Sequence, residues 1–155
     1  MLEPWQRREV IAHCRLLADS YSYWTQQPLV DNIQDDTQLA KSLYEAPFVL
    51  VSHGAELDPV FNYANKCAQS LWKLSWTQFT VLPSRASAEP IEESRRQGLL
   101  EDAKKQGVIR NYQGTRVSSD GRRFYIINVT LWNVLDAKGK YHGQAAKFNH
   151  WEFIE

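Results

Sequence analysis

The sequence predicts an α+β fold: an antiparallel sheet of about five strands, helices on one face, and an N-terminal amphipathic helix as the candidate cover of the other. Three observations carry this. Ser118-Ser119-Asp120-Gly121 and Asp136-Ala137-Lys138-Gly139 are tight-turn signals, because hairpin turns need positive φ and Asp-Gly pairs supply it. Between them, Arg123 to Leu135 is a run of β-branched and aromatic residues, which fit a pleated surface better than a helix. Val10, Cys14, Leu17, Tyr21 and Trp24 recur at spacings of four, three, four and three, which places them on one helical stripe.

The elements follow in order. Residues 5–24 form the amphipathic helix, stopped near Gln26-Gln27-Pro28, since a residue before proline avoids the α region. An acidic connector spans 28–36. A second short helix follows with Asp36 or Thr37 as its cap, and Ala46-Pro47 ends it. Residues 1–45 are thus read as a helical extension, and 46–155 as the compact domain. Phe48–Ser52 and Val60–Tyr63 are short strands around a His53–Pro59 turn. Ala64–Trp72 is a helix with Ala64, Ala68, Leu71 and Trp72 on one side. Ser75-Trp76-Thr77-Gln78 has the spacing of a capping box. Pro90 to Gln106 carries four helix signals: a first-position proline, early Glu92 and Glu93, late Lys104 and Lys105, and Gly107 just beyond. Gly98 in its middle disfavours helix by about 1 kcal/mol against alanine, which predicts a close packing contact there. The three-strand meander of 108–148 and a short tail complete the chain.

Composition narrows the function classes. The chain has 155 residues, 43% hydrophobic residues and six tryptophans, enough for one well-packed domain. No apolar run reaches the about 20 residues of a membrane span. Two cysteines, Cys14 and Cys67, make no disulfide framework, and the N-terminus lacks a signal-peptide layout. These features predict a cytoplasmic protein that does not enter membranes. Net charge is zero but uneven: residues 1–60 carry four basic against nine acidic side chains, and residues 61–123 eleven against six. Neither half has the basic footprint of a direct nucleic-acid binder.

The order of elements resembles a PAS domain. Phe61-Asn62-Tyr63-Ala64-Asn65, then Ser75-Trp76-Thr77-Gln78-Phe79, look like its opening segment. Asp120–Phe124 and Asp136–Gln144 look like its closing hairpins. More closely, Ser52-His53-Gly54, Leu82–Pro90, Gly121–Phe124 and Val129–Ala146 resemble the MEKHLA domain, a PAS-related module. The resemblance covers residues 40–150. That family occurs alone in bacteria and at the C-terminus of plant class III homeodomain–leucine zipper transcription factors. There the module is regarded as regulatory and affects dimerisation. These 155 residues include no homeodomain or zipper, so the transcriptional role does not carry over, and fold analogy alone does not fix function.

Strict alternation along the middle strand puts Tyr125, Ile127, Val129 and Leu131 on one face. Phe124, Ile126, Asn128, Thr130, Trp132 and Val134 fall on the other. By PAS-like register the first face meets the core helices. Trp132 then lies on the back of the sheet with Asn128, Thr130 and Gln144. Its predicted cover is the Val10, Cys14, Leu17, Tyr21 and Trp24 stripe, from the same chain or from a second copy. The PAS resemblance also implies an interior that can hold a small apolar molecule. Candidate lining residues are Leu71, Trp72, Phe79, Leu99, Tyr112, Ile127, Val129, Leu131 and Ala145, although large side chains at such positions commonly just fill a core.

No cofactor is predicted. The loop from Leu82 to Pro90 lacks the reactive cysteine of light-sensing PAS relatives, and His53, His142 and His150 show no zinc spacing. There is no nucleophile elbow, phosphate loop or zinc-protease motif, so no catalytic residue is assigned. The leading expectation is a non-catalytic regulatory module. It would work by association, as a homodimer or with another regulatory protein. The alternative is a small-molecule sensor with an internal apolar pocket. An enzyme using the Arg85–Glu89 loop ranks third.

Overall fold

In the computed structural model, one six-stranded antiparallel sheet separates two hydrophobic cores. The structure describes residues 1–88 and 90–154, apart from the side chains of 90–93. The strands are β1 (Val49–His53), β2 (Phe61–Ala64), β3 (Val108–Val117), β4 (Arg123–Leu135), β5 (Tyr141–Phe148) and β6 (His150–Phe153). Their order is β2-β1-β5-β4-β3, and β6 pairs with the first half of β4. The sixth strand is the tail after Asn149, which prolongs the path of β5 along β4. The helices are α1 (Arg8–Thr25), α2 (Asp36–Tyr44), α3 (Lys66–Trp72), α4 (Trp76–Phe79) and α5 (Pro90–Gln106).

Helix ends obey their local chemistry. Asp35, one residue before the two predicted candidates, caps α2 by accepting from Gln38 N at 2.8 Å. Ser75 and Gln78 form the expected reciprocal capping box. Helix α3 starts later than its apolar spacing suggested, because the Asn65 side chain accepts from Ala68 N and caps it. Helix α5 ends at Gly107, whose φ of +91° favours glycine. A Cβ on Gly107 would also stand 2.3 Å from the Trp24 ring. The first-turn acids Glu92 and Glu93 lie outside the described side chains. The close contact expected at Gly98 is absent: a Cβ there would meet no described atom within 4 Å. An exposed face of α5 explains the tolerance.

Middle strand β4 does not alternate strictly. Asn128 has φ +56° and Asn111, on β3, has φ +61°; the β3–β4 register slips beside both. Asparagine tolerates this left-handed conformation, and each extra residue reverses the side-chain phase beyond it. Before the slip Phe124 and Ile126 enter the core with α3 and α4; after it Val129 does. The predicted grouping of Ile127 with Val129 and Leu131, and of Phe124 and Ile126 with Trp132, is therefore corrected by one bulge.

One core packs α3 and α4 residues Ala68, Leu71, Trp72 and Phe79 on Val49, Val51, Phe61, Phe124, Ile126, Val129 and Phe148. The other packs α1 and α2 residues, among them Val10, Cys14, Leu17, Tyr21, Leu39 and Leu43, on Leu50, Tyr63, Trp132, Val134 and Ala145.

Candidate functional site: an internal cavity and the covered sheet face

The reverse face of the sheet is closed within the chain. Val10, Cys14, Leu17 and Tyr21 are buried in one cluster with Trp132, and Tyr21 meets the Trp132 ring edge-on at 4.9 Å. Trp24 donates from Nε1 to Asn133 O at 2.9 Å. Thr130 pairs with Lys147, whose ammonium lies 5.2 Å over the Tyr21 ring. Two residues named for this face lie elsewhere. Asn128 is exposed in its bulge. Gln144 points to α5, donating to Leu100 O at 3.0 Å and Asn133 Oδ1 at 3.4 Å. Strand pairing explains it: Gln144 sits opposite Asn133, one step out of phase with Trp132.

On the other face a cavity of about 60 Å³ lies between the sheet and α5. Trp72, Leu99, Tyr112, Val129, Leu131 and Ala145 of the predicted lining border it. Leu71 and Phe79 are buried in the adjoining core, and Ile127 falls on the opposite face because of the Asn128 bulge. Ile126, Phe148 and Ala146 take part instead.

The wall also holds polar groups that apolar periodicity did not reveal. Arg116, 8% exposed, donates from Nη1 to Thr115 O at 2.8 Å and from Nη2 to the Tyr112 hydroxyl at 3.0 Å. Gly114 makes room for this pair, since a Cβ there would come within 2.5 Å of the Tyr112 hydroxyl. Arg96, from α5, is buried and donates to Ser84 Oγ at 2.8 Å. His53 donates from Nδ1 to Gly54 O at 2.9 Å. Burial, helped by the charge of Arg96, holds the His53 imidazole below its ordinary pKa. Among the described residues, His53 Nε2 and Trp72 Nε1 are buried without a hydrogen-bond partner.

A second polar cluster joins α1 to the sheet. His13 Nε2 lies 2.8 Å from Ser52 Oγ, and Ser52 Oγ lies 2.5 Å from Asn62 Oδ1. The Ser52 proton goes to Asn62, so His13 Nε2 is the donor. That is the reverse of a serine activated by a histidine base. Burial lowers the His13 pKa to about 4, with the charge of His142 adding. The ordinary value is 6.5, so between pH 6.5 and 4 the unfolded chain binds a proton that the folded chain refuses. Stability is expected to be full above pH 7 and to fall by about 2–3 kcal/mol on going to pH 4. His53 acts in the same direction. Urea midpoints measured from pH 7.5 to 4.5 should show a shallower decline for His13→Gln than for the wild type; parallel curves would refute this origin.

The loop candidate for catalysis dissolves into ordinary contacts where it is described. Arg85 pairs with Asp58 at 3.2 Å on the surface, and Glu89 lies outside the described residues. His142 pairs with Asp136 at 2.9 Å and lowers that carboxyl to about 2, together with the Lys140 backbone N–H. Among the described residues no group of three or more His, Cys, Asp or Glu could hold a metal ion. No helix of the described residues is long and apolar enough to cross a membrane.

Solved structures share the fold. A PAS domain from Colwellia psychrerythraea superposes with a TM-score of 0.63 at 16% identity, covering 76% of this chain and 94% of that one. A PAS domain of a two-component sensor histidine kinase gives a TM-score of 0.57 at 13% identity, covering 74% and 91%. An RNA-binding light-oxygen-voltage receptor gives 0.62 at 15% identity, covering 80% and 36%. Comparison with curated proteins gives no match. The MEKHLA domain family model matches residues 11–153, from within α1 to the end of β6. With nearly its whole length in that match and a PAS-type sheet between two helical layers, this chain belongs to the MEKHLA domain family.

Proposed function

We propose that this chain is a non-catalytic, cytoplasmic regulatory module that senses a small molecule in the cavity between the sheet and α5. The observation that carries the reading is the alternation of β4 and β5 across the sheet. Leu131 borders the cavity, while its neighbour Trp132 belongs to the core under α1; on β5, Ala146 borders the cavity and Ala145 touches both. Asn133 ties both layers together. Its side chain donates to Lys104 O of α5 at 2.9 Å, and its carbonyl accepts from Trp24 of α1. A ligand that shifts β4 or α5 thus loads the docking of α1.

Association with a second copy or another regulatory protein then becomes the output. Of the residues first named for an interface, Val10, Cys14, Leu17 and Tyr21 of α1 and Trp132 of the sheet are buried against one another, so they serve a partner only once α1 moves. Free Cys14 and Cys67 agree with a reducing compartment. Native mass spectrometry of freshly purified protein tests the reading. A retained mass beyond the chain's own, lost on unfolding, supports the sensor. A bare dimer would favour pure association, and a bare monomer with no retained mass would overturn the sensing role.

A further inference from the structure

We infer that the cavity takes a short-chain carboxylate, its head group held by Arg116. This rests on the sensing role proposed above and gives it a ligand class.

Charge in the wall points to an anion. Arg116 borders the cavity, and among the described residues no acidic residue does. Arg116 is 8% exposed. Among the described residues its partners are a carbonyl, a tyrosine hydroxyl and the Tyr112 ring, 5.5 Å from its guanidinium carbon. None of these carries negative charge. A buried guanidinium is costly until an anion meets it, and its fork of five N–H donors suits a planar carboxylate. Two of those donors are engaged by Thr115 and Tyr112, which orients the group and leaves others for a ligand. Trp72 adds an indole N–H in the same wall that meets no acceptor among the described residues.

Volume and apolar lining define the rest of the molecule. A cavity of about 60 Å³ has room for roughly four to six water-sized groups. Ile126, Val129, Leu131 and Phe148 supply walls for a short alkyl chain. A carboxylate of three to four carbons satisfies both ends, whereas a ring system the size of a flavin exceeds the space.

The test is a titration of the full chain with sodium butyrate, 1-butanol as the uncharged counterpart, and sodium chloride at matched ionic strength. Nitrogen-15 NMR follows the Trp72 indole and the Arg116 Nε–H. Saturable shifts of both with butyrate are expected, with butanol and chloride at least roughly tenfold weaker, as a charge-assisted pair implies. Arg116→Met should weaken butyrate to the level of butanol. The Arg116 resonance of the wild type gives the same answer if that variant does not fold. Equal binding of butanol and butyrate would overturn the carboxylate while leaving a sensing cavity in place. No shift with either, beside a retained mass in the native spectrum, would also overturn it and leave the sensing role standing.

Discussion

Trp132→Ala is expected to lower stability by about 3–5 kcal/mol. Trp132 is fully buried at the centre of the core beneath α1, edge-on to Tyr21. Truncation removes a whole indole and leaves a cavity walled by two layers that cannot collapse together, because the sheet is held from its other face. For a domain of this size, that is a drop of roughly 10 °C in Tm. Trp132→Phe separates volume from polarity. The indole N–H of Trp132 finds no hydrogen-bond partner among the described residues, so replacing it sacrifices packing but removes an unsatisfied donor. The phenylalanine variant should cost only about 1 kcal/mol. Equal losses for both variants, read from urea midpoints, would show that the indole N–H is satisfied after all. A small effect from the alanine variant would show that α1 is not seated on the sheet.

Asn65→Ala should be comparably damaging, for a different reason. The side chain is fully buried and makes four hydrogen bonds. Its oxygen accepts from Leu50 N and Ala68 N, both at 3.1 Å. Its nitrogen donates to Leu43 O at 3.0 Å and Phe48 O at 2.8 Å. One amide therefore caps α3, opens β1 and closes the end of α2. Alanine leaves four backbone groups in a dry site, a loss of about 3–5 kcal/mol. Asn65→Asp keeps the acceptor half but turns an anionic oxygen toward two carbonyls, so it should not rescue. Urea unfolding of the three proteins checks this, and an aspartate variant close to wild type would contradict the assigned amide orientation.

The two variants probe what periodicity can and cannot say. The stripe from Val10 to Trp24 was legible because a helix repeats every 3.6 residues and its apolar side must be buried. The turns at Asp120-Gly121 and Asp136–Gly139 were legible because their conformation admits few residues. Arg96 and Arg116 left no such trace. A charged residue in a strand or helix reads as solvated until a neighbour buries it, and those neighbours come from distant segments. Asn65 was hidden in the same way: asparagine suggests a cap, but Leu43, Leu50 and Phe48 became its partners only through folding.

By itself, then, the sequence determined the α+β class, the meander, most helix ends and the family, since all of these depend on residues near one another in the chain. Tertiary structure alone decided the two-sided sheet phase, the cis seating of α1 and the polar lining of the cavity. The phase hinges on Asn128, where one left-handed residue sends every side chain beyond it to the opposite face. Alternation is a local rule, and a single bulge accommodated by a neighbouring strand is enough to overrule it.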